Sequence, residues 1–232
     1  MSKISLEELQ TKIGVVFQNK DFLHRAFIHR SYLNENSQEK ESNERLEFLG
    51  DAVLEFVVSE NLFAHFRTED EGHLTTLRSR LVNTSSLAGT AKELSLGELL
   101  YLSRGEEGSL GRQNRSLLAN TVEALIGAIF LDQGIDAAKT FIETFIIKKL
   151  ADIVKSPLKD PKSLIQEFAQ ANGFPAPTYK LIEALGPDHA KEFTVEVLVD
   201  RKPYAQGSGR SLQIATQNAA AEALKRWGEK KA

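Results

Sequence analysis

The sequence predicts an all-helical domain followed by a small α+β domain of order α-β-β-β-α. Two observations carry this. Apolar residues first recur at three- and four-residue spacing (Leu46, Leu49, Val53, Leu54 and Val57; Leu74, Leu77 and Leu81) and later alternate with polar ones (Tyr179–Leu185 and Phe193–Val199). Between the two patterns runs Lys155-Ser156-Pro157-Leu158-Lys159-Asp160-Pro161, two prolines in a polar setting, which reads as a linker. The expected domains are therefore 1–153 and 161–230, joined by 154–160.

Ser5 with Glu8 three residues on forms a capping box that opens a first short helix. Leu117 to Leu131 is apolar on more than one side, as in a helix central to a bundle. Glycines at 72, 97, 105, 108, 111 and 134 are expected to mark loops. In the second part, a helix over Ser163–Asn172 precedes three strands, the third a shorter one over Pro203–Ser208. An Ala-rich helix from about Ser211 to Trp227 closes it.

With 41% hydrophobic and 26% charged residues among 232, the chain can bury an ordinary core. No apolar run approaches the roughly 20 residues of a membrane span, and Met1–Glu8 lacks a signal-peptide core. The absence of Cys excludes a disulfide framework and a thiolate zinc site, and suits a cytoplasmic protein. A net charge of −3 speaks against a nucleic-acid partner at first sight. It divides, however, into −5 over residues 1–155 and +2 over 156–232.

The acids are concentrated in Asn43-Glu44-Arg45-Leu46-Glu47-Phe48-Leu49-Gly50-Asp51. Glu44, Glu47 and Asp51 lie at i, i+3 and i+7, within about 60° on a helix, and repel one another unless a cation sits among them. Asn120 and Glu123 form a second polar pair, at i and i+3 in an otherwise apolar helix, where an unpaired charge is costly. Hard divalent cations such as Mg²⁺ accept such oxygen ligands, activate water and neutralise charge on a phosphoryl group. Taken singly, the stripe also reads as a solvated helix face, and Asn120/Glu123 as a buried polar pair. Jointly they favour metal: both adjoin apolar faces, and Glu47, Asp51 and Glu123 have no Lys or Arg three or four residues away.

The stretch Asn43–Leu54 resembles the signature helix of the ribonuclease III family. His29-Arg30-Ser31-Tyr32, Glu71-Gly72-His73-Leu74 and Val122–Ala128 match it too. The C-terminal part resembles a double-stranded-RNA-binding domain, in Asp160-Pro161-Lys162 and in Gly207-Ser208-Gly209-Arg210-Ser211. The resemblance implies a helical endonuclease domain acting as a homodimer. It implies Mg²⁺-dependent hydrolysis of duplex RNA (Mn²⁺ a possible substitute) to 5′-phosphate and 3′-hydroxyl ends. By position, Glu47, Asp51, Asn120 and Glu123 fall on metal ligands. Asp51, Glu123, Glu44 and Glu71 are expected to be catalytic, the last two falling on two further acidic positions of the cleavage valley. Asn120 departs from the family's usual Asp, so the site loses a negative charge. Weaker metal binding is expected, and a non-catalytic duplex-RNA-binding protein is the rival reading.

Duplex RNA offers 2′-hydroxyls in a shallow minor groove, read by shape. Ser163, Gln166, Glu167 and Gln170 form one polar helix face suited to such contacts, although the spacing equally fits a solvated face. By resemblance, His189 in the Gly186–Ala190 loop enters a second minor groove. Arg210, with Gly207 and Gly209 and the helix N-terminus after them, is expected to meet phosphate. Leu212 and Gln213 stand where the family commonly has two Lys, so modest RNA affinity is expected.

Overall fold

A computed structural model of the chain describes residues 4–155, 160–187 and 190–229. Contacts divide the chain into two compact units, Met1–Ser156 and Pro157–Ala232.

The first unit is helical: α1 (Leu6–Ile13), α2 (Lys20–Arg25), α3 (Arg30–Leu33), α4 (Glu44–His65), α5 (Glu71–Val82), α6 (Thr84–Glu93), α7 (Arg104–Gly108), α8 (Arg115–Phe145) and α9 (Leu150–Lys155). The Ser5/Glu8 capping box is formed in full. Several glycines do not behave as the loop markers expected of them. Gly72 lies in the first turn of α5, because Asp70 caps that helix by accepting from the His73 N–H at 2.7 Å. Gly105 and Gly108 lie within α7. Gly134, at φ 81° and ψ −172°, does interrupt the helix as expected, so that α8 is two helical segments joined at a kink.

The centre of this unit is α8. From Leu118 to Ile129 every residue is buried except Asn120 and Glu123. Helix α4 packs along it, burying Leu46, Val53, Leu54, Val57 and Val58. By length and mean hydropathy the segment Arg115–Lys155 reaches what a membrane crossing requires, contrary to the expectation that no run comes close. Yet 56% of its most apolar window is packed inside the unit, as in a core helix.

The second unit runs α10 (Pro161–Ala171), β1 (Thr178–Leu185), β2 (Glu192–Val199), β3 (Lys202–Gly209) and α11 (Leu212–Glu229). The strands form one antiparallel sheet in the order β1-β2-β3. The third strand is as long as the others, not shorter, since Lys202 and Gly209 both pair with β2. Asp200 and Arg201, at φ 51° and 62°, turn the β2–β3 hairpin with the hand that strand twist favours. Val195, Val197, Ala205, Ala215, Ala219 and Trp227 build its core. A Cβ on Gly207 would stand 2.1 Å from the Ala219 nitrogen, and one on Gly209 2.5 Å from Ile214. These glycines therefore let β3 lie directly against α11. That packing is a reason for them which the sequence reading did not include.

Candidate active site

Two glycines set the geometry. A Cβ on Gly50 would stand 1.8 Å from the Glu123 carbonyl oxygen, and one on Gly127 2.2 Å from that of Leu46. Only hydrogen at both positions lets the backbones of α4 and α8 touch. This contact sets Glu47 and Asp51, one turn apart on α4, beside Asn120 and Glu123 on α8. The start of α4 is fixed by Asn43, which is buried. Its N–H donates to the Ile28 carbonyl at 2.8 Å and its side chain to that of Ala26 at 3.3 Å.

The four side chains interact. The Asn120 amide donates a hydrogen bond to the Glu47 carboxylate, partly offsetting the upward pKa shift that burial gives Glu47. Burial pushes Glu123 further, up to about 7, with the charges of Asp51, Glu47 and Glu55 adding to it. Among the described residues, no ion pair is made by Glu47, Asp51 or Glu123. Nor do three His, Cys, Asp or Glu side chains there converge tightly enough to hold an ion unaided. The fit to a divalent cation rests on donor chemistry: an all-oxygen set in which burial, and then neighbouring carboxylates, disfavour the charge of Glu123 unless a cation is present. Asn120 would have to turn its oxygen, not its nitrogen, toward the ion.

The other predicted acids are distributed more widely. Glu44 is exposed, 3.7 Å from Arg30 and bonded to the Ser42 hydroxyl. It shares with Glu47 and Asn120 a hollow of about 650 Å³, also lined by His29, Arg30 and Glu106. Glu71 is not brought there. It lines a separate, mainly apolar hollow with Phe56, Phe63, Leu74 and Arg78. Arg45, between Glu44 and Leu46 on α4, lies 3.8 Å from Glu41. Glu55 was missed. It extends the acidic stripe one turn past Asp51, and Arg78 holds it at 2.9 Å.

In the second unit, Ser163, Gln166, Glu167 and Gln170 are all exposed on α10, opposite buried Ile165 and Ala169. The Ser163 hydroxyl also bonds the capping Asp160 at 2.8 Å. Arg210 is exposed just before α11, in whose first turn the Ile214 N–H donates to the Ser211 hydroxyl. Leu212 and Gln213 are exposed beside it. His189 lies outside the described residues.

Comparison with known proteins bears on both units. Residues 19–150 match the family model "Ribonuclease-III-like", and residues 161–226 match "Double-stranded RNA binding motif". The chain is 45% identical over 219 residues to Ribonuclease 3 of Bacillus licheniformis, covering 94% of this chain and 88% of that one. It is 42% identical to Ribonuclease 3 of Nitratiruptor, covering 95% and 96%. Among solved structures, the nuclease domain of ribonuclease III from Campylobacter jejuni matches with a TM-score of 0.58 at 41% identity. That match covers 62% of this chain and 97% of that one. A site shared between two touching helices, followed by an α-β-β-β-α unit and matched over nearly the whole chain, makes this protein a member of the ribonuclease III family.

Proposed function

We propose that Glu47, Asp51, Asn120 and Glu123 hold a divalent cation, Mg²⁺ or alternatively Mn²⁺, at the point where one strand of duplex RNA is cut. The chain is a double-strand-specific endoribonuclease, and its C-terminal unit binds the duplex. Divalent-metal dependence belongs to its family. When bound, such an ion activates water and stabilises charge on the reacting phosphate. The protein's own part is to hold four oxygen-bearing side chains on two rigid helices, so that little reorganisation is left for the reaction. Asp51 and Glu123 are the side chains expected to tolerate substitution least. Glu44 adds negative charge to the hollow beside the site, whereas Glu71 lies apart from it.

One observation carries this reading: Glu123, raised to about 7 by burial and three carboxylates, has no cationic partner among the described residues. The products are 5′-phosphate and 3′-hydroxyl ends. A homodimer is inferred from α4, where Phe48, Phe56 and Phe63 are 80%, 61% and 75% exposed, the last two lining the apolar hollow. Two sites in such a dimer would cut opposite strands and leave short 3′ overhangs. Ser163, Gln166, Glu167, Gln170, His189 and Arg210 are the proposed RNA contacts of the C-terminal unit. Ribosomal RNA precursors and other structured transcripts in the cytoplasm are the proposed substrates.

The test is a gel assay of long duplex RNA with purified protein, with Mg²⁺ or with chelator, beside Glu123→Gln. Metal-dependent cleavage abolished by the substitution is expected. Cleavage that survives it would place the metal elsewhere. Binding without cleavage at any Mg²⁺ or Mn²⁺ concentration, restored by Asn120→Asp, would make this chain a binder only.

A further inference from the structure

Among the side chains of the hollow beside Glu47 and Asn120 that the metal site does not use is an imidazole. His29 lines the hollow, half-buried. The His29 N–H is held by the Tyr101 carbonyl, and the Ile28 carbonyl before it accepts from Asn43, so the residue is fixed to the start of α4. Its Nδ1 is fully engaged: it accepts the Ser31 backbone N–H at 3.3 Å and lies 2.8 Å from the Ser31 hydroxyl. Because Nδ1 accepts the Ser31 N–H it carries no proton, so the Ser31 hydroxyl donates to it while accepting from the Ser103 N–H at 3.1 Å. Two donors at Nδ1 place the ring proton on Nε2. No hydrogen bond to Nε2 is found among the described residues. Burial lowers the His29 pKa, so the ring is neutral at neutral pH.

We propose that His29 reads a ribose 2′-hydroxyl of the cleaved strand through its Nε2–H, making this hollow a site where RNA is told from DNA. The proposal rests on the placement of the cation at Glu47 and Asn120. Charge decides between the two acceptors that RNA offers. Glu44, Glu47 and Glu106 face the hollow, against Arg30 alone, which is spoken for by Glu44. With the scissile phosphate met by the cation, Glu44 and Glu106 disfavour a second phosphate beside His29. A 2′-hydroxyl is neutral, accepts from Nε2–H and can donate to a carboxylate, and it is the group that DNA lacks.

The test uses the full chain and duplexes in which a single 2′-deoxynucleotide is walked through the positions flanking one cleavage site. At one position the deoxy substitution is expected to slow the unaltered protein about tenfold, the order of one lost hydrogen bond in a site built for it. His29→Ala should cut the all-RNA duplex about tenfold more slowly and be indifferent to that position, while His29→Gln, which keeps an N–H donor, retains part of the penalty. Ser31→Ala leaves the ring but removes its anchor, and should weaken the penalty at the same position alone. It also serves if His29→Ala fails to fold. Equal deoxy penalties in all these proteins would overturn the proposal. So would coupling of His29 to a phosphorothioate at a phosphate in place of the hydroxyl. Glu123→Gln separates the two readings: loss of all cleavage there, with an unchanged deoxy profile in His29→Ala and Ser31→Ala, rejects the hydroxyl reading and leaves the metal site standing.

Discussion

Gly50 stands against the backbone of Glu123, with 1.8 Å between the carbonyl oxygen of Glu123 and the place where a Cβ on Gly50 would be. The side chain that bears the site's largest pKa shift thus belongs to the residue whose main chain touches α4. Gly50→Ala must push the two helices apart. We expect about 3 kcal/mol of destabilisation and loss of cleavage even where the fold survives. Urea denaturation and the gel assay check this together, and an alanine variant of ordinary stability and activity would deny the close contact.

Asn120→Asp adds a negative charge beside Glu47 and replaces the amide that now donates to it. Half-maximal cleavage should then need several-fold less Mg²⁺, and the Glu123 pKa should rise further. A Mg²⁺ titration of the rate measures the first, and an unchanged midpoint would remove Asn120 from the ligand set.

Glu123 carries a pH dependence of known sign. Its folded pKa, about 7, lies above its ordinary value of 4.5, so between the two the folded state binds more protons than the unfolded one. The associated stability is whole below pH 4.5 and is lost as pH rises through 7. In chelator, Glu123→Gln should therefore gain in melting temperature over the unaltered protein at pH 8, by roughly 5 °C, and much less at pH 5. A cation displaces that proton, so apparent affinity should climb up to about tenfold per pH unit below 7 and then level.

The exposed aromatic residues of α4 give a prediction about assembly. Phe56→Asp places a charge in the apolar hollow that Phe56 lines with Phe63 and Leu74. Sedimentation should show a dimer for the unaltered protein and a monomer, still helical, for the variant. A monomer in both would end the dimer reading.

Leu212 and Gln213 are exposed at the start of α11. Replacing both with Lys should tighten duplex-RNA binding and steepen its salt dependence. On duplex-DNA arithmetic the log–log slope grows by about 0.9 for each phosphate that a new Lys neutralises. A filter-binding titration at several salt concentrations reads both.

Much of this was legible in the chain itself. Helical and alternating periodicities separated the two kinds of structure, and the spacing of Glu47, Asp51, Asn120 and Glu123 placed each pair on one helix face. Contacts between segments distant in sequence were not legible. Nothing local tells that Gly50 and Gly127 meet, because a glycine inside a helical pattern looks the same whether it faces solvent or another backbone. The same holds for Gly207 and Gly209, whose contact with α11 no local pattern reveals. Glu71 was expected near the other acids, yet the start of α5 carries it to the apolar hollow. Glu55 could have been found, since it continues the acidic stripe at i+4. His29 could not, because its orientation depends on Ser31 and, through it, on Ser103 far along the chain.

The chain has a single tryptophan, Trp227, 9% exposed between Phe168, Phe174 and Tyr204 in the second unit. Its emission therefore reports on the RNA-binding half alone, while far-ultraviolet circular dichroism is dominated by the long helices of the other half. The intact protein carries its own two-channel optical readout, and the melting of each half can be followed separately without cutting the chain or attaching a dye.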